Sequence, residues 1–187
     1  MTAKIALYGP PGAGKSTLAT LLAQEAELQG INAITVKLAQ PLYDLQQSIY
    51  ERAGRPLRDT YRQDGKLLNS LGSHLQRINP EALTEDFARR VSNLLSRQAS
   101  NQLLVCDDMR GNAVPTLTHL GFTLVQVSAP EQLRRQRKQN RADLTRGDDN
   151  HVTEVPVDRE PDHRIVNDGS LDNLRALALD LIEQVQR

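Results

Sequence analysis

Residues Gly9 to Ser16 read GPPGAGKS, a G-x-x-x-x-G-K-[ST] run set between an apolar β-branched stretch and a segment with helical spacing. This pattern constrains the chain more than any other, because a strand, a tight turn and a helix must meet there for the glycines to serve a purpose. Gly12 and Gly14 tolerate backbone conformations that side chains resist, so successive N–H groups can turn inward around an anion. The helix N-terminus adds its partial positive charge. Lys15 supplies a full charge for the β- and γ-phosphates, the Ser16 hydroxyl is placed for Mg²⁺, and Thr17 for the α-phosphate, with Pro11 and Ala13 completing the loop. The pattern predicts binding of a nucleoside triphosphate. It does not by itself predict a reaction, since switches, motors and kinases share it.

Apolar runs predict strands near 4–9, 33–38, 102–107, 122–128 and 164–167, and apolar spacing predicts helices over 15–29, 42–53, 65–78, 81–98, 131–141 and 171–186. Asn79 and Pro80 read as N-cap and first helical residue, Ser128 with Glu131 as a capping box, and Ser170 as an N-cap. Strands alternating with helices predict an α/β sandwich around a parallel sheet, since parallel neighbours need crossover connections. The chain has 187 residues, 39% of them hydrophobic, which suits one domain. Its expected parts are a core (1–38, 99–133, 158–187), a helical insertion (39–98) and a polar segment (134–157).

Lys plus Arg and Asp plus Glu balance at 23 each, so no general attraction to nucleic acid or to an anionic membrane is expected. The single cysteine, Cys106, and the lack of an apolar leader favour a reducing cytoplasm, and no segment approaches membrane-spanning length. His119 and His163 stand isolated and predict no metal cluster.

Two further stretches carry chemistry. In LLVCDDMR the apolar strand runs into Asp107 and Asp108, with Arg110 following. Carboxylates at a strand's carboxyl end face the crevice where open α/β sheets bind ligands. Asp107 could help to hold Mg²⁺, Asp108 could orient an acceptor oxygen and take its proton, and the Arg110 fork suits a phosphate; a turn with a solvated ion pair is the plainer alternative. In PEQLRRQRKQNR, residues Arg134, Arg137, Lys138 and Arg141 share one helical face beside Arg135. That face is either solvated or a lid whose arginines close on a transferring phosphoryl group. Nucleic-acid binding is disfavoured, because aromatic residues make up 3% of the chain and none is interleaved here. Asp108 to Gly111 also fits the D-x-x-G of GTP switches, but no N-K-x-D follows to read guanine.

The segment KLLNSLGSHLQRINPEALTEDFARRV, the strand VCDDMR and the tail HVTEVPVDREPDHRIVNDGSLDNL, taken with the phosphate loop, resemble the deoxynucleoside monophosphate kinases of phages and bacteria. The resemblance implies a P-loop kinase sandwich with a central five-stranded parallel sheet, a helical acceptor-binding insertion and a lid. It also implies ATP- and Mg²⁺-dependent phosphorylation of a small-molecule nucleotide acceptor, a nucleoside or deoxynucleoside 5'-monophosphate, to the diphosphate with release of ADP. Carried over by position, Lys37 and Arg77 look like acceptor-phosphate binders, Arg110 follows the D-x-R arginine, and Asn167 and Gly169 look like the loop beside the donor adenine. His151 and Glu154 match the family's H-x-[ST]-E pattern, with either an anchoring or a catalytic role. Arg62 and Asp64, near predicted helix ends, join the candidate acceptor groups. Asn69, Ser73, His74 and the GNAVP after Arg110 depart from the family's pattern around the expected acceptor pocket. A related kinase of another metabolite, dephospho-coenzyme A among them, and a nucleotide-operated switch remain as alternatives. The sequence leaves base, sugar and a homodimer open.

Overall fold

The computed structural model describes residues 2–96, 101–140, 143–145 and 155–186. Five strands form one parallel sheet: β1 (Thr2–Tyr8), β2 (Asn32–Thr35), β3 (Gln102–Cys106), β4 (Thr123–Ser128) and β5 (His163–Val166), in the order β2-β3-β1-β4-β5. The period-two alternation of β1 and β3 divides the core. Ile5, Leu7, Leu103 and Val105 pack on one face against α1 (Lys15–Leu28) and α7 (Leu171–Val185). Ala6, Tyr8, Leu104 and Cys106 pack on the other face with Phe87, Val91 and Leu117, from α4 (Ala82–Ser96) and α5 (Val114–His119). Both faces are therefore covered, as a parallel sheet requires. The layers are those of the expected α/β sandwich around a central five-stranded parallel sheet.

Helices α2 (Gln40–Arg52) and α3 (Gly65–Ile78) fill the insertion, and α6 (Glu131–Gln139) opens the polar segment after β4. A short 3₁₀ turn over Gly111–Ala113 and then α5 follow β3, where no helix is expected from sequence. At this length no apolar repeat can accumulate, and Pro115 looks like a breaker although it sits in the first turn, where its missing N–H costs nothing. Ser170 caps α7, accepting from the Asn173 N–H at 3.2 Å. Asn79 closes α3 while its side chain accepts from the Glu81 N–H at 3.0 Å at the entrance to α4. Ser128 is a correction: its hydroxyl donates to the Ile165 carbonyl, and Pro130 stands at the N-cap of α6 with no side-chain cap. No helix among the described residues is long and apolar enough to cross a membrane.

Candidate active site

The phosphate loop leaves the end of the sheet's central strand. Gly12 and Gly14 adopt φ of +80° and +98°, the left-handed region that glycine tolerates. Gly12 has a second reason to lack a side chain: a Cβ there would lie 2.6 Å from the carbonyl oxygen of Arg134, so α6 rests directly on the loop. Lys15 curls back to donate to the Gly9 and Pro10 carbonyls at 2.8 and 3.3 Å. Ser16 and Thr17 are exposed at the mouth of the loop.

A single crevice of about 1090 Å³ extends from this loop to the helical insertion. Pro11, Gly12, Gly14, Lys15, Ser16 and Thr17 line its loop end. Ala13 does not; it is fully buried in the core. Lys37, Arg62, Asp107, Asp108 and Arg110 also reach the crevice, and so do Arg137 and Lys138 of α6. Arg77 is exposed and lies outside the lining, as does His74. Arg141, His151 and Glu154 lie outside the described residues.

Several side chains do work other than that expected. Asp107 is buried and pairs with Lys37 at 2.7 Å. Burial pushes the Lys37 ammonium down, but the adjoining Asp107 carboxylate, by charge and hydrogen bond, outweighs it and leaves the lysine above its ordinary value. Asp108 accepts from the Leu38 and Ala39 N–H groups at 2.7 and 3.0 Å, one on each oxygen. Both acids thus fasten the end of β3 to the chain leaving β2. Asp64 turns away from the crevice. It caps α3, accepting from the Leu67 N–H at 3.2 Å, and takes the Tyr50 hydroxyl at 2.7 Å. Asn167, 6% exposed, braces the phosphate loop from behind: its Nδ2 donates to the Ala13 carbonyl at 2.9 Å, and its own carbonyl accepts from Arg137 at 3.3 Å. Gly169 packs against Asn173 at the head of α7 and does not line the crevice. Cys106 is buried, and burial pushes its thiol well up, which makes it unreactive.

Sequence reasoning passed over the aromatic wall. Tyr43 and Tyr61 meet edge to face with centroids 5.2 Å apart, and the Lys37 ammonium lies 5.0 Å from the Tyr61 centroid. Gln63 and Gln76 also line the crevice. The one available signal was the adjacency of Tyr61 to Arg62 in TYRQDGK.

Ser16 and Asp107 both line the crevice, and oxygen donors of this kind suit Mg²⁺, which keeps several waters and is held jointly by a few protein oxygens and nucleotide phosphates. Among the described residues no group of three or more His, Cys, Asp or Glu could cage a metal alone. ATP with Mg²⁺ is the cofactor pair that kinases of this type use.

A family model described as "AAA domain" matches residues 5–156, most of the chain. The chain belongs to that family. This AAA-domain protein is 38% identical over 66 residues to a shikimate kinase of Rhodococcus jostii, a match covering 35% of the chain and 32%, about a third, of that kinase. Among solved structures it resembles TT1252 of Thermus thermophilus (23% identity, TM-score 0.53, 97% of each chain). It also resembles the APS kinase of Mycobacterium tuberculosis, solved with AMPPNP and APS (18% identity, TM-score 0.50, 98% of this chain and 99% of that one). A gluconokinase of Sinorhizobium meliloti is similar in fold as well (16% identity, TM-score 0.50, 98% and 94%).

Proposed function

We propose that this protein transfers the γ-phosphoryl group of ATP to a nucleoside or deoxynucleoside monophosphate, releasing the diphosphate and ADP. The observation that carries the reading is the crevice, continuous from the phosphate loop to the helical insertion and bordered by cations at both ends. One drug-sized ligand occupies roughly 300–1,000 Å³, so a space of about 1090 Å³ is on the scale of a nucleotide and a second small molecule.

Lys15 and the loop's N–H groups hold the donor phosphates, Arg137 approaches the loop at Gly14, and Lys138 lines the crevice from the same helix. Arg62 and Arg110 suit the acceptor's phosphate, while Tyr61 offers a surface for a flat base. Mg²⁺, when bound by Ser16 and Asp107, supplies neutralisation of the phosphate charge. Catalysis is then positioning plus charge stabilisation.

The fate of Asp107 and Asp108 favours a monophosphate over a hydroxyl acceptor. A hydroxyl must lose a proton during attack and needs a base. A phosphate monoester has its second pKa near about 6 and brings an oxygen that is already ionised. With Asp107 paired to Lys37 and Asp108 held by main-chain donors, the strand-end acids suit the acceptor that needs no base. The local likeness to a shikimate kinase favours the other reading, a kinase of a hydroxylated metabolite.

ADP release measured with ATP, Mg²⁺ and a panel of nucleoside monophosphates, shikimate, gluconate, APS and dephospho-coenzyme A decides between them. Turnover with one or more monophosphates is the expected result. Turnover with hydroxyl acceptors alone overturns it, and hydrolysis indifferent to any acceptor turns the reading to a switch. Arg137→Ala is expected to lower kcat by about a hundred-fold or more while moving the KM for ATP far less, since the arginine acts on charge that develops in transfer.

A further inference from the structure

We infer that Lys37 is a positioning residue for the donor's metal: by occupying Asp107 it keeps that carboxylate from drawing a bare divalent cation out of solution, so that Mg²⁺ is captured only together with the phosphates of ATP. The inference rests on Mg²⁺ and ATP as the donor pair and holds for any acceptor. β2 and β3 run parallel with Thr35 beside Val105, so Lys37 and Asp107 leave neighbouring strand ends two residues further on. By the same alternation that turns Leu103 and Val105 toward α1, Asp107 belongs to the α1 side of the sheet. Asp108 falls on the other side, where its Oδ1 lies 3.4 Å from the Cys106 Sγ. Thr35, Lys37 and Asp107 all line the crevice, as do Ser16, Ala19 and Thr20 from the first turns of α1.

Both the main chain and the side chain of Lys37 are held in place. Arg90 donates to its carbonyl at 2.8 Å, and Asp108 takes the two N–H groups that follow, at 2.7 and 3.0 Å. Its ammonium donates to Asp107 Oδ1 at 2.7 Å and lies 5.0 Å from the centre of the Tyr61 ring. Among the described residues no donor meets Asp107 Oδ2, which is the oxygen left to serve a cation or its waters. Charge decides what such a site can hold. Lys37 and Asp107 together sum to zero, and among the described residues no group of three or more His, Cys, Asp or Glu could add to them. A bare Mg²⁺, which sheds water reluctantly, gains little there. The phosphates of ATP bring the missing negative charge. Without Lys37, an Asp107 side chain only 2% exposed would stand unneutralised, and a divalent cation would take the place of the ammonium. Lys37 therefore makes metal capture and nucleotide capture one event, a coupling that is reciprocal between the two ligands.

The test counts Mn²⁺, the paramagnetic substitute for Mg²⁺, by electron paramagnetic resonance on the nucleotide-free full chain. It compares wild type, Lys37→Gln, Lys37→Arg and the double variant Lys37→Gln/Asp107→Asn. Glutamine keeps a donor for Asp107 but loses the charge. Lys37→Gln is expected to bind one Mn²⁺ about ten-fold or more tighter than wild type, the scale of one unit charge removed from beside a divalent ion in a half-buried site. Lys37→Arg, which keeps the charge, should bind no more tightly than wild type, and the double variant should lose the gain. Millimolar Mg²⁺ should also raise the melting temperature of Lys37→Gln and leave that of wild type unmoved, since a ligand of the folded state stabilises it. Equal Mn²⁺ affinity in wild type and Lys37→Gln overturns the inference, as does a gain that survives the loss of Asp107 or that arginine produces equally. Wild type supplies a check that no variant's folding can spoil. With lysine Nζ labelled, the Lys37 resonance, assigned by its absence from the arginine variant, is expected to hold still under millimolar Mg²⁺ and to move when AMPPNP is added with it. Movement with Mg²⁺ alone, or none with both, also overturns the inference. Failure of every acceptor on the panel would sink the phosphotransfer reading and leave these outcomes standing, because none of them involves transfer.

Discussion

Replacing Lys15 with alanine is expected to cut phosphoryl transfer by about a thousand-fold or more, the scale seen when a phosphate-contacting cation is removed from such a site. Its Nζ rests on two neutral carbonyls, Gly9 and Pro10, at 2.8 and 3.3 Å. An anionic phosphate is a stronger partner than a carbonyl dipole, so the ammonium exchanges one for the other without unfolding the loop. Lys15 is only half-buried, and the melting temperature should therefore move by no more than a few degrees. Saturating kinetics together with a thermal melt check both statements; transfer within ten-fold of wild type would mean that the lysine is not the donor's main cation.

The second large effect falls on stability. Asp107→Ala is expected to cost about 3–5 kcal/mol of unfolding free energy, because it leaves Lys37 charged in a nearly buried position with its partner gone. The side chains of the pair are 15% and 2% exposed, so solvent can do little to screen the loss. For a chain of this length that corresponds to a fall in melting temperature of roughly 6–20 °C. The raised folded-state value of Lys37 fixes the sign with pH: its stabilising contribution is present below the ordinary lysine value and is lost as pH climbs through the folded value. The gap between wild type and variant should accordingly shrink in strong alkali. The double variant Lys37→Met/Asp107→Leu, which removes both charges, should recover much of the stability but none of the transfer activity, separating the pair's service to the fold from its service to the crevice. Urea unfolding of wild type and the two variants checks this; an Asp107→Ala protein as stable as wild type would show that Lys37 finds solvent.

Where local pattern and tertiary environment agree, the sequence was enough. The strand-loop-helix at Gly9 to Ser16, the five strands and the α3 boundaries at 65 and 78 follow from spacing and turn chemistry alone. The acids were harder to read. Asp64, Asp107 and Asp108 look alike along the chain, and what distinguishes them is which donors arrive from residues far away in sequence: the Thr145 hydroxyl for the first, the Lys37 ammonium for the second, and the Leu38 and Ala39 N–H groups for the third. Asn167 was noticed for its place in an N-D-G run, yet its task follows from lying beside the Ala13 carbonyl, a proximity that only the β1-β4-β5 order creates. Arg77 has the right charge on the right helix, but α3 turns Gln76 rather than Arg77 toward the crevice, a distinction of about 100° around the axis that charge counting ignores.

The brace from Asn167 to Ala13 spans 154 positions of chain. During synthesis the glycine-lysine turn leaves the ribosome early, long before the asparagine that steadies it. A nascent polypeptide that has emerged only as far as β4 carries every residue of the motif and lacks the clasp that fixes its shape. Tight nucleotide capture would then be a late event in biogenesis, reached only when β5 has joined the sheet edge and brought residue 167 with it.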